Sequence, residues 1–346
     1  MSDIDFVVLW VDSKDPQWEK SYTRFKAISS GVDENSILPA RFRDMGIFKY
    51  WFRGVEAYAP WVRKIHLVTC GQVPDWLNVQ HEKINIVKHT DIMDEKSLPT
   101  FSSRAIEVNI HKIKGLSNKF VLFNDDMMLN AKISPDFYFQ NNLPNDFLIE
   151  SRVSPTLIED VVFNSTLMTN VSVVNTFFRR ESVIKKNAVK YYNLKYGRYL
   201  QKNLHARKNK LFNGFLGKHL PQPFLKSTFE EIWGLKEIKG LLSRTTDSKF
   251  RDGCSLNQYV FRYWQLVKGN FTPCNPKGKG VCYHLNGDKN QLSKAIKHLT
   301  SGQPQICLND CFNDDKTFEY ACDKISETLA FKLGEISSFE QADYLS

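Results

Sequence analysis

Two adjacent carboxylates, Asp125 and Asp126, close the apolar run Lys119–Asn124 (KFVLFN) in this 346-residue chain. Burying such a pair without a partner is costly. Hard oxygen ligands at a rigid strand end suit Mg2+ or Mn2+ on a diphosphate. A turn that caps a helix explains the same residues equally well. The other candidates share this double reading. Asp12, in WVDSKDP, would meet the ribose, base or metal of a nucleotide, or serve only as a turn residue, as Asp15-Pro16 does. Arg41-Phe42-Arg43-Asp44 precedes a helical pattern, where arginines clamp phosphate oxygens or simply face solvent while Asp44 caps. Ser102, Ser103 and Arg104 stand at the next helix start, a second place for phosphate. His219, in KHLPQP, is a lone loop histidine, more often a surface residue than a base. Arg251, in FRD, carries the same ambiguity. Asn309-Asp310 follows the apolar Ile306-Cys307-Leu308 and reads as a strand end and turn.

Alternating strands and helices must position these groups. Asp5–Val11, Lys64–Thr69, Lys83–His89 and Lys119–Asn124 are short, rich in β-branched residues and bounded by polar or turn residues, as buried strands are. Asp44 would cap a helix carrying Ile47, Trp51, Val55 and Tyr58, stopped by Pro60. Ser102 or Ser103 would cap a second, with Ile106, Ile110 and Ile113 on one face and Gly115 as its stop. Strands alternating with helices imply a largely parallel sheet covered on both faces. Ligands then bind beyond the carboxyl ends of the strands, where Asp12, His89 and Asn124–Asp126 would lie. After about residue 150 helical patterns dominate: roughly 181–203, 226–242, 255–268 (with Ser255 as cap) and 315–333, broken by loops at Pro221, Pro223, Pro273 and Pro276. Residues 1–150 therefore read as an α/β core of the kind that binds nucleotide sugars. Residues 151–346 read as a mainly helical cap that returns residues, ICLND among them, to the site.

Composition excludes several classes. Hydrophobic residues make up 42% and charged residues 25%, enough for a core and against wholesale disorder. No apolar run approaches the ~18 residues of a membrane span, and the start MSDID shows no signal-peptide pattern, so a cytoplasmic location is expected. Seven cysteines without a CxxC pair argue for reduced thiols over a zinc site or disulfide framework. No phosphate-binding P-loop and no GxGxxG occurs, which removes the anchor for ATPase and dinucleotide readings. The net charge of +9 is concentrated: residues 175–220 hold 12 Lys or Arg and one acid, giving 12 − 1 = +11. That is a solvated helical surface or a contact with something anionic.

Taken together, these segments resemble the Stealth family of sugar-phosphate transferases. DFVVLWVDSKDPQWEK forms one block and Arg41–Phe139 a long second one, including FSSRAIEVNIHKIKG and KFVLFNDDMML. His219–Pro221 with Arg251 ahead of Gln258-Tyr259 forms a weaker third, and ICLND the fourth. The spacing in the third block leaves Arg244 as a substitute for Arg251. The resemblance implies a GT-A-like nucleotide-binding core and transfer of a sugar 1-phosphate from a nucleotide sugar, a UDP-HexNAc or UDP-hexose. A glycan hydroxyl would attack phosphorus, releasing UMP. Within it, Asp125, Asp126 and Asp310 would hold Mg2+ or Mn2+, Arg251 and Arg43 would stabilise the phosphoryl oxygens, and His219 would be the general base, with Asp125 central to catalysis. Asp12, Arg43, Asp44, Ser102, Ser103 and Asn124 would bind the donor. An anionic capsular polymer is the expected acceptor, and the basic segment would hold it or meet the inner membrane face or other capsule enzymes; no nucleic acid is expected.

Two rival functions use the same features. A metal-dependent glycosyltransferase of GT-A type would release UDP. A non-catalytic polyanion-binding protein would use the basic segment, with Tyr191, Tyr192, Tyr196 and Tyr199 stacking on bases, although tyrosines at helical spacing more often pack.

Overall fold

The computed structural model describes residues 3–154 and 160–341. Strands β1 (Ile4–Leu9), β2 (Ile65–Thr69), β3 (Ile84–Lys88) and β4 (Lys119–Asn124) lie within two residues of the four apolar runs. Every residue of β1 and β2 is buried, so these strands read as unbroken apolar runs and not as alternations. β1 pairs parallel with β2 on one side and β4 on the other, and β2 pairs parallel with β3. Four more strands follow: β5 (Met127–Leu129), β6 (Phe139–Gln140), β7 (Leu143–Asp146) and β8 (Gln222–Leu225). β8 joins the main sheet antiparallel to β4, giving the order β3-β2-β1-β4-β8. The stretch around Pro223 is thus a strand and not the expected loop. It tolerates the proline because β8 is an edge strand, with one row of N–H groups left out of the ladder.

β9 (Thr272–Pro273), β10 (Val281–Leu285) and β11 (Gln305–Asp310) complete the strands. β10, β11 and β5 form a second sheet. Asp125-Asp126 is the two-residue turn that carries the chain from β4 in the first sheet to β5 in the second. ICLND is β11 itself, antiparallel to β5 and beside that turn, with the Leu308 amide donating to the Asp126 carbonyl.

Helices cover both faces of the main sheet. On one face Phe48, Trp51, Phe52 and Val55, at helical spacing in helix Phe48–Tyr58, pack on Phe6, Val8, Leu67 and Phe123. On the other, Phe229, Leu242, Val260 and Trp264 from three helices of the second half of the chain pack on Val7, Phe120 and Leu122. The long helices expected in that half are interrupted. Lys226–Trp233 and Lys236–Asp247 are separated at Gly234. The 181–203 pattern breaks into Arg180–Lys186, Ala188–Tyr191 and Leu200–Ala206, with Gly197 at φ 55° between the last two. Helix Gln258–Lys268 is capped by the Asn257 side chain and not by Ser255. Helix Val161–Phe177 had no counterpart in the sequence reading.

The second half of the chain is tied to the first by a buried ion pair. Arg262, 1% exposed, meets Asp146 at the end of β7 through Nε–Oδ2 at 2.8 Å and Nη2–Oδ1 at 2.7 Å. Gln222 of β8 donates to the same carboxylate at 3.0 Å. Removing one member of a buried pair leaves the other unpaired at low dielectric, a loss of about 3–5 kcal/mol. Arg262→Ala should therefore lower the urea midpoint by an amount corresponding to that loss. Arg262→Met combined with Asp146→Leu should recover most of it. A single variant with an unchanged midpoint would remove this pair from the stabilising interactions.

Candidate active site

A cleft of about 210 Å³ opens beyond the carboxyl ends of β1, β2, β3 and β4. Trp10 after β1, Cys70 after β2, His89 after β3 and Asn124-Asp125-Asp126 at the end of β4 share its lining. Arg43, Asp44, Ser103, His219, Arg251 and Asp310 join them there. Two of the residues expected to bind the donor stand outside the lining. Asp12 turns its carboxylate to the Lys14 amide at 2.8 Å. Ser102 is fully buried, and its hydroxyl has no hydrogen-bond partner. Arg244 lies at the surface, 3.7 Å from Asp252, while Arg251 faces the cleft.

One wall is acidic. Burial pushes the Asp125 carboxyl well above the usual carboxylate range, and the charges of Asp126 and Asp44 push it further. Burial also raises Asp44, with the Asp12 charge adding to it. Asp44 is not the expected helix cap. The helix begins at Phe48 without a side-chain cap, and Asp44 Oδ1 accepts from the Gly46 amide at 2.7 Å. Burial works against the charge on Asp126 too, but the hydrogen bond and charge of His219, with the Cys307 thiol, hold it below its ordinary value. His219 Nε2 lies 3.5 Å from Asp126 Oδ2. Burial alone would lower His219; the Asp126 hydrogen bond and charge outweigh it and raise its pKa above 6.5. His89 has no such partner, and burial drops it to about 4, so it is neutral at physiological pH.

The facing wall is cationic. Burial lowers Arg251 to about 10, and the nearby charges of Arg41 and Arg104 add to the shift. It is still a cation at neutral pH. Its one side-chain hydrogen bond among the described residues runs from Nη2 to Ser103 Oγ at 3.1 Å, which leaves most of its five N–H donors unused. Arg104 is buried behind it and donates to the Asp252 carbonyl at 2.5 Å. A guanidinium crowded by two others and short of acceptors is suited to an anion.

Arg43 and Asp310 are placed differently from the expectation that one clamps phosphate and the other binds metal. They bind each other in a bidentate pair, Nε–Oδ2 2.5 Å and Nη2–Oδ1 2.9 Å. Arg43 also contacts Asp315 at 3.1 Å and the Phe312 carbonyl at 3.2 Å, and lies 3.7 Å over the Phe318 ring. The pair closes the cleft as an internal clamp between the loop before helix Phe48–Tyr58 and the end of β11.

Asp125 and Asp126 fit a divalent cation. Asp126 Oδ1 is buried without a hydrogen-bond partner, and the neighbouring carboxylates need positive charge to remain ionised together. The sequence reading missed two features. Trp18, Phe42 and Phe101 form an aromatic wall of the cleft, with ring centroids 5.2 and 5.5 Å from Trp18. Cys282, His284, Cys307 and Cys311 gather beside Asp126: Cys307 Sγ is 3.4 Å from Asp126 Oδ2 and His284 is 3.9 Å from both other sulfurs. They share no sequence motif, because the register of β10 on β11 brings them together.

Known proteins resemble this chain along nearly its whole length. A family profile described as Stealth protein CR2, conserved region 2, matches residues 41–146, which include Arg43, Ser103 and the Asp125-Asp126 turn. The chain is 38% identical over 342 residues to the capsular polysaccharide phosphotransferase WcwK of Streptococcus pneumoniae, covering 99% of both chains. It is 38% identical to the receptor polysaccharide phosphotransferase WefC of Streptococcus oralis, over 98% of this chain and 100% of that one. It is 36% identical to the exopolysaccharide phosphotransferase cps2G of Lactiplantibacillus plantarum, over 98% of this chain and 96% of that one. The solved galactosyltransferase LgtC, with donor and acceptor sugar analogs, aligns over 96% of this chain and 98% of its own with a TM-score of 0.40 and 9% identity, a likeness too distant to bear on activity. With near-complete coverage by such relatives, the chain belongs to the Stealth family, among its bacterial polysaccharide phosphotransferases.

Proposed function

We propose that this chain transfers a sugar 1-phosphate from a nucleotide sugar, a UDP-HexNAc or UDP-hexose, to a hydroxyl of a capsular-type glycan. The product is a phosphodiester and UMP leaves. The observation that carries this reading is the presence of the buried Asp125-Asp126 pair and the under-satisfied Arg251 in one cleft. A diphosphate with its counter-ion would be complementary to both.

Phosphoryl transfer needs alignment and charge neutralisation more than covalent help. Asp125 and Asp126 would hold Mg2+ or Mn2+, which neutralises the diphosphate and the leaving UMP. Arg251 holds the oxygens of the transferred phosphoryl group, with Arg41 and Arg104 adding positive field. Trp18, Phe42 and Phe101 offer ring faces to the nucleotide base. His219 takes the proton of the acceptor hydroxyl as its oxygen bonds to phosphorus. Exposed Lys185, Lys186, Lys195, Lys202, Lys208 and Lys210 provide a positive surface for an anionic acceptor, with the inner membrane face as the rival partner. No helix among the described residues is long and apolar enough to cross a membrane. Tyr191 and Tyr196 are buried, with hydroxyls bonded to Glu150 at 2.5 Å and the Lys190 carbonyl at 2.6 Å, which leaves them unable to stack on bases.

Three measurements test this reading. Incubation with Mg2+, a panel of UDP-sugars and capsule oligosaccharides should release UMP and give a phosphodiester resonance in phosphorus NMR; release of UDP would assign a glycosyltransferase instead. His219 should titrate above 6.5 in metal-free protein by histidine NMR, because Asp126 favours its charged form. Turnover that needs the neutral base should then rise with pH through that elevated value. Asp126→Asn should drop the His219 pKa below 6.5, leaving burial as the main influence, and an unmoved resonance would break the link. Asp125→Asn should abolish metal-dependent turnover while raising the melting temperature of the metal-free protein at pH 7. The sign follows from the elevated folded-state pKa of Asp125: stability is lost as pH rises above the unfolded value of 3.8, and an amide has no such loss. A variant of lower melting temperature would show that Asp125 is structural.

A further inference from the structure

Cys307 has no part in the transfer reaction, yet its thiol is fully buried against the cleft carboxylate. Its Sγ lies 3.4 Å from Asp126 Oδ2, and His219 Nε2 lies 3.5 Å from the same oxygen. All three donor atoms lie within 4.8 Å of one another. A tetrahedral zinc ion with bonds of about 2.0–2.2 Å to oxygen, about 2.0–2.1 Å to nitrogen and about 2.3 Å to sulfur spaces its ligand atoms by about 3.3–3.6 Å. Two of the three edges already have that length. Cys282 stands opposite Cys307 in the register of β10 on β11, the nearest further thiol to this group along the sheet. The exposed His284, 3.9 Å from Cys282 Sγ, extends the row of nitrogen and sulfur donors to the surface and provides a route in. Magnesium does not favour such a set, whereas thiolate with imidazole selects zinc and its softer relatives.

We propose that Asp126, His219 and Cys307 form a Zn2+ site, distinct in ligand chemistry from the carboxylate site of the transfer reaction, and that zinc bound there silences the enzyme. Binding displaces the Cys307 thiol proton, and the proton of His219 where it carries one, to solvent; no electron is transferred. Silencing follows because the ion occupies both the base and a carboxylate of the transfer site, a consequence that rests on the function proposed above. The binding itself does not rest on it.

Titration of the metal-free full-length chain with Cd2+, as a spectroscopic stand-in, should give one tight equivalent with an ultraviolet thiolate-to-metal charge-transfer band. Zn2+ should displace it. Cys307→Ser should lose the band, His219→Gln should weaken binding by about 10–100-fold or more, and Cys254→Ser, at an exposed thiol, should leave the band unchanged. A band that persists in folded Cys307→Ser, or a wild-type chain with no tight equivalent, overturns the site. Should circular dichroism show Cys307→Ser unfolded, His219→Gln decides, and unchanged affinity there overturns it. Intact binding in a chain with no transferase activity on any nucleotide sugar supports the site and refutes the function instead.

Discussion

Unneutralised charge on the two sides of one cleft is the constraint around which this molecule is built. Asp44, Asp125 and Asp126 face inward on one side and Arg251, with Arg41 and Arg104 near it, on the other. Elsewhere the fold cancels buried charge directly: Asp5 with Arg63, Asp146 with Arg262, Glu150 with Arg180. In the cleft Arg43 and Asp310 cancel in the same way, but Asp125 and Arg251 do not; burial first, then the like charges beside each, raises Asp125 and lowers Arg251. A folded chain keeps such an imbalance only where surrounding structure holds it in place. Here the rigid ends of parallel strands do so on the acidic side and buried packing on the basic side. A ligand with a cation at one end and phosphate oxygens at the other, as in the function proposed above, would relieve both shifts at once.

The Arg43–Asp310 pair shows why the two sheets matter to this balance. The turn at Asp125-Asp126 leaves the first sheet, and β11 runs beside it in the second, so Asp310 arrives at the cleft edge from almost two hundred residues downstream. Once there it is neutralised by Arg43 and does not add a further negative charge to the acidic wall. Had Asp310 stayed unpaired, the crowding on Asp125 would be greater. The clamp therefore limits the mutual repulsion of the acidic wall, and it fixes β11 and with it Cys307 against Asp126.

Much of the main sheet was legible because parallel strands buried on both faces cannot alternate: β1, β2 and β4 stand out as apolar runs, and the partly buried edge strand β3 keeps enough β-branched residues to be read with them. The other edge strands lack that signature. β8 carries a proline, β5 has three residues, and neither declares itself without its partner. The helices were legible as apolar periodicity, but their breaks at Gly197 and Gly234 depend on tertiary contacts that periodicity does not encode. The site follows the same division. Asp125, Asp126 and Asn124 were readable because they sit at a strand end. Arg251 and His219 were visible only as polar residues in loops, and the family pattern singled them out. The thiol cluster was invisible, since the 24 residues between Cys282 and Cys307 suggest no motif until the strand register aligns them. The mutual capture of Arg43 and Asp310 was equally hidden, because residue type states what a side chain can bind and not which partner reaches it first.

The sharing of Asp126 links the two halves of the chemistry. Its Oδ2 faces His219 while its Oδ1 has no hydrogen-bond partner among the described residues. While its full charge faces His219, Asp126 favours the protonated imidazole over the neutral one. When that charge is drawn toward a ligand on Oδ1, the influence of burial, which alone lowers His219, is less opposed. Asp126 then holds the imidazole proton less firmly, which in the proposed mechanism would favour proton acceptance by His219 from an alcohol. A base strengthened by filling of the donor site would have a chemical advantage: it would act best when the phosphorus to be attacked is in place, and less on stray diphosphates in an empty cleft.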